Sequence, residues 1–67
     1  MPPPYERTGV LVIRAWIEPE REDGLRARIT YTLDVSNSEQ STTVVATREE
    51  VAAAVLAWLD ALVADAE

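Results

Sequence analysis

Residues 25–35, LRARITYTLDV, alternate without a break. Leu25, Ala27, Ile29, Tyr31, Leu33 and Val35 fall on one side of an extended chain; Arg26, Arg28, Thr30, Thr32 and Asp34 fall on the other. That two-residue period belongs to a β-strand and not to a helix, so the segment predicts a strand with one face buried and one face wet. A strand of this kind belongs in an antiparallel sheet covered on one side only.

The flanking segments supply the rest of such a sheet. Gly9 to about Glu18, GVLVIRAWIE, predicts a first strand that Pro19 ends. In the charged turn PEREDG, Asp23-Gly24 provides a residue tolerant of positive φ. SNSEQ, residues 36–40, predicts a second turn, and the β-branched run from Ser41 to about Ala46 a short third strand. Thr47 and Glu50 have the spacing of a capping box, and Glu49 adds negative charge where a helix dipole favours it. A helix then runs to Ala64 or Ala66. The expected fold class is α+β: a three-stranded antiparallel β-meander followed by one C-terminal α-helix packed across one sheet face (β-β-β-α). The proline-rich start makes residues 1–8 an expected disordered tail and residues 9–67 a single small domain.

Sixty-seven residues bury little surface, and small scaffolds usually need disulfides, a metal or oligomerisation as support. The chain has no cysteine and no histidine, which leaves oligomerisation. All six basic residues are arginine and ten residues are alanine, a bias of high-GC bacterial coding. The net charge of −6 opposes nucleic acid and anionic membranes at long range. MPPPYER lacks the basic-then-apolar order of a secretory leader, and Val51 to Leu59 is too short to span a bilayer. A cytoplasmic location is the expectation.

Reactive chemistry has little to work with. No histidine, cysteine or lysine can serve as base beside a nucleophile, and the two glycines cannot form a phosphate loop. Glu18, Glu20, Glu22 and Asp23 cluster in one turn without the spacing of a calcium loop. No catalytic, cofactor-binding or metal residue is therefore assigned, no small-molecule substrate is evident, and the chain reads as a non-enzyme.

The candidate site is a surface. Alternation puts Val10, Val12, Arg14 and Trp16 of the first strand on the same face as Arg26 and Arg28 of the second, opposite the helix. Two registers keep this parity. One sets Trp16 against Arg26 and Arg14 against Arg28; a looser one sets Glu18 against Arg26 and Trp16 against Arg28. The rule that opposite charges stabilise cross-strand pairs favours the looser one. Arginine stems lying over Trp16 would account for part of the cluster. Valines beside Trp and Arg are also what a protein interface offers. The expected function is a protein–protein interaction module, a homodimer or assembly subunit, with a second copy meeting Val10, Val12 and Trp16. The alternative is a single-stranded nucleic-acid platform, with Trp16 stacking a base and Arg14, Arg26 and Arg28 holding phosphates. On the helix, Val51, Val55, Leu56, Trp58, Leu59, Leu62 and Val63 span an apolar arc of about 160° expected to face the sheet. Ala53, Ala54, Ala57, Ala61 and Ala64 lie behind it, a second candidate packing surface.

Overall fold

The computed structural model describes residues 7–22, 24–37 and 39–66, the side chains of 65 and 66 excepted. Its elements are β1 (Val10–Ile17), β2 (Leu25–Thr32), β3 (Ser41–Val45) and α1 (Arg48–Ala66). The strands form one antiparallel sheet in the order β1-β2-β3, and the single helix packs on one side of it. The meander-plus-helix reading of the sequence is the fold.

Within that fold the register is the tighter of the two. Trp16 lies opposite Arg26 and Arg14 opposite Arg28, not Glu18 opposite Arg26 as the charge argument expects. The turn decides this. The Glu18 N–H bonds the Gly24 carbonyl at 2.6 Å, and the Arg21 N–H reaches back to the Glu18 carbonyl at 3.3 Å, so the ladder is already closed at Glu18. Gly24 has φ +32°, and a Cβ there would lie 2.6 Å from the Glu18 oxygen, a position only glycine fills without strain. The expected charge pair still forms, but diagonally. Arg26 Nε donates to Glu18 Oε1 at 3.2 Å, because long side chains reach a diagonal neighbour without changing register.

β2 ends at Thr32, three residues short of where its alternation stops. Asp34 captures the backbone: its Oδ1 accepts from the Ser36 N–H at 3.0 Å and the Ser36 hydroxyl at 2.6 Å. A carboxylate that bonds its own chain two residues on replaces the ladder by a turn. Of the expected tail, residues 1–6 lie outside the described residues. The Thr8 carbonyl accepts from the Val35 N–H at 2.8 Å, and Arg7 Nη2 donates to the Leu62 carbonyl at 3.1 Å.

The capping box forms as read. Thr47 Oγ1 accepts from the Glu50 N–H at 3.0 Å, while Glu50 Oε1 accepts from the Ala46 N–H at 3.0 Å. From this cap α1 runs in the same direction as β2. Its first turn borders Ile17 and Leu25, and from its middle Trp58 Nε1 donates to the Thr32 carbonyl at 3.1 Å. Gly9 passes so close beneath it that a Cβ would meet Thr32 O, Leu62 and Trp58 at 3.0–3.2 Å.

The helix faces the sheet differently from the sequence reading. Val51, Ala54, Val55, Trp58, Ala61 and Leu62 are half-buried, so Ala54 and Ala61 belong to the seat rather than the back. Leu56, Leu59 and Val63, expected to face the sheet, are exposed. A helix resting on β2 can press only one stripe onto a sheet this narrow. The two fully buried hydrophobic side chains among the described residues, Ala27 and Ile29, are both on β2 beneath it.

Candidate interaction surfaces

The face of the sheet turned away from α1 carries the six residues singled out from the sequence, and the structure brings all six together. Val10, Val12, Arg14 and Trp16 of β1 lie opposite Thr32, Thr30, Arg28 and Arg26 of β2. Val12 is more than half exposed and Trp16 is 38% exposed. On the far side, β3 adds Thr42, within 3.3 Å of the Thr30 hydroxyl, and Val44, which lies opposite Arg28 and is also more than half exposed. Val44 belongs to the surface and was missed in the sequence. The signal was available, since the even-numbered positions of β3 must share a face with those of β2 once Thr30 pairs with Thr42.

The arginines of this face differ in their electrostatic state. Arg26 is half-buried and held by Glu18. Arg14 and Arg28 are exposed, lie opposite each other, and among the described residues have no acidic partner. Like charges placed directly across a ladder destabilise it. The face therefore offers an anionic group two guanidinium groups framed by valine and tryptophan.

A second apolar surface lies on the helix side. Ala54, Ala57 and Ala61 line a recess with Tyr31, Leu33 and Thr43, so that flank of α1 leans toward β3. At 100° per residue, Leu59 stands on the opposite flank, toward β1, and Val63 and Leu56 turn progressively further from the sheet. Leu56 is 61% and Val63 60% exposed. Two helix-side residues of β1 are also left bare, Ile13 at 41% and Ile17, beside the first turn of α1, at 68% exposed. Sequence reasoning missed this surface because it gave the whole apolar arc of the helix to the sheet.

Elsewhere the polar groups serve the backbone. The Ser36 hydroxyl and then its N–H hold the Asp34 carboxyl below its ordinary pKa. The Ala46 N–H, followed by the Thr47 hydroxyl and N–H, does the same for Glu50. Among the described residues no group of three or more acids, histidines or cysteines is placed to hold a metal ion. No helix among them is long and apolar enough to cross a membrane. Comparison with protein-family models, curated proteins and solved structures gives no match for this chain.

Proposed function

We propose that this chain is a non-catalytic bacterial protein–protein interaction module that acts in the cytoplasm and self-associates. One observation carries the reading: among the described residues only Ala27 and Ile29 are fully buried hydrophobics, while ten large hydrophobic side chains stay exposed. Exposed apolar residues scattered singly need no explanation, but nine of these, all except Val35, lie on the open sheet face or on the helix side, in a chain with little core of its own. The arginine-only, alanine-rich composition supports the bacterial origin. The open sheet face, with Val10, Val12 and Trp16 centred and Arg14, Arg26 and Arg28 at the rim, suits a protein partner that brings acidic groups to Arg14 and Arg28.

Sedimentation velocity at micromolar concentration tests self-association directly. The expected result is a mass above that of one chain. A wild type that stays monomeric, with the stability of Trp16→Ala unchanged, overturns the reading.

The unpartnered pair Arg14 and Arg28 beside Trp16 favours a second reading, a single-stranded nucleic-acid platform. The net charge of −6 and the lone aromatic on that face oppose it. It forecasts affinity for single strands that falls steeply with salt and is lost in Arg28→Glu; no binding at low salt removes it.

A further inference from the structure

β1 is an edge strand, hydrogen-bonded to β2 on one side only. The Glu18 N–H bonds the Gly24 carbonyl in the same register as the rest of the ladder, so the even-numbered residues of β1 are the ones that bond β2. The backbone N–H and C=O groups of Leu11, Ile13, Ala15 and Ile17 therefore point out of the sheet. Natural edges are blunted with lysine, proline, bulges or inward charges. VLVIRAWI has no proline or lysine, and its one charge, Arg14, stands on the open face. The other edge, β3, is shorter and begins with Ser41, Thr42 and Thr43.

The bare flank of α1 lies over this same edge. Leu59, on the β1 side of α1, and Val63 beyond it stand near the Gly9 end of this strand, where Trp58 and Leu62 sit, while Ile17 is bare at the other end beside the first turn of α1. With Leu56 and Ile13, these side chains leave on the order of 500 Å² of aliphatic surface in water, divided between the two ends of the edge. Doubled, and with the strand edges added, they enter the range of roughly 1,200–2,000 Å² of a stable interface.

Resting on the self-association proposed above, we infer that a second copy of the chain joins along the free edge of β1, antiparallel, with Ile13 on the twofold axis. The axis then runs perpendicular to the sheet and both helices lie on the same side. Pairing about Ile13 sets Ile17 of each copy beside Gly9 of the other, at the end of the strand where Leu59 and Val63 stand. Each copy covers the other's bare isoleucines, and one self-complementary contact closes the assembly at two.

Charge selects the register. Paired residues must share a face, so the most centred pairings put either Ile13 or Arg14 on the axis. Centring on Arg14 sets two guanidinium groups directly against each other. Centring on Ile13 sets Arg14 against Val12 of the second copy and Trp16 against its Val10, an aromatic–β-branched pair. Stacking two copies through their open faces instead would turn Arg14 and Arg28 of one toward those of the other. Edge pairing leaves that face clear for a different protein.

The test uses the full chain and three readouts. Ala15→Pro removes an N–H that points away from β2, a change that an edge strand tolerates; it is expected to stay folded and sediment as a monomer. In the wild type, the amides of Leu11, Ile13 and Ala15 are expected to be protected from exchange and to lose that protection on dilution below the association range. Because the chain has no cysteine, oxidising a mixture of Val12→Cys and Arg14→Cys chains is expected to give the mixed covalent dimer. Arg14→Cys joining itself in preference overturns the Ile13-centred register. Ala15→Pro that associates like the wild type, or freely exchanging Leu11, Ile13 and Ala15 amides in an associated wild type, overturns edge pairing while self-association stands. A wild type monomeric at every concentration overturns both.

Discussion

β1 and β2 have the same length and lie side by side, yet their fates are opposite. VLVIRAWI has a single charged residue, whereas LRARITYT has two arginines and two threonines. The more apolar strand is the one left in water: most of β1 is exposed, while β2 contains Ala27 and Ile29 at 0% exposure. Position decides this, because β2 has a strand on each side and the helix above it, and β1 has one neighbour and no cover. Hydrophobicity in excess of what a strand's place in its own fold can bury points to a surface meant for another chain.

The sharpest way to break this contrast is to cut the same side chain in both strands. Ile29 and Ile13 are direct cross-strand partners on the helix side. Ile29→Ala is expected to cost about 2–5 kcal/mol, enough to unfold much of a chain this small. Ile13→Ala is expected to cost roughly half as much or less in dilute solution, where the side chain is already partly solvated. Urea midpoints at several protein concentrations provide the measurement. The Ile13 deficit should grow with concentration as the edge becomes covered, and equal costs at every concentration would abolish the distinction between the strands.

A smaller effect is expected at the turn that fixes one strand against the other. Gly24→Ala places a side chain at positive φ against the Glu18 carbonyl and is expected to cost about 1–3 kcal/mol. Its signature should be asymmetric. Amides of Trp16 and Glu18 next to the turn should lose exchange protection before those of β2, which β3 also holds.

The smallest expected effect acts on the cover of β2. Thr47→Ala removes the helix cap at a cost of about 0.5–2 kcal/mol and should loosen α1 over Ala27 and Ile29. The pKa of Glu50, the other half of the cap, is lowered in the fold, as is that of Asp34. A carboxylate with a depressed folded pKa lends stability above its ordinary pKa and loses it as pH falls through the lowered value. Stability should therefore decline on acidification through and below the ordinary carboxylate range. Glu50→Gln should flatten that decline in acid denaturation; an unchanged acid slope would show the cap to be irrelevant to it.

What was legible in the sequence was local. The alternation of β2 as far as Thr32, the glycine turn and the capping box each depend on residues within a few positions of one another, and these formed as read. The six residues of the open face also came together, because strand parity alone assigns them. The register was misread because a favourable charge pair was assumed to require direct opposition, when Glu18 and Arg26 are long enough to meet on a diagonal. The end of β2 was misread because alternation in Leu33 and Val35 says nothing about Asp34 taking up the Ser36 amide. The bare flank of the helix was invisible for a different reason. How wide a stripe of α1 the sheet can cover depends on how many strands lie beneath it, which the helix's own residues do not encode.

The bond from Trp58 to the Thr32 carbonyl has a practical side. The chain has two indoles, one on each side of the sheet, and no phenylalanine. Trp58 is half-buried with its N–H engaged, whereas Trp16 lies in the open. Tryptophan fluorescence from the unlabelled protein is thus composed of two signals with different access to a dissolved quencher. Changes in the accessible one follow what happens on the open face, and changes in the shielded one follow the seating of the helix. The molecule comes with an optical probe for each side.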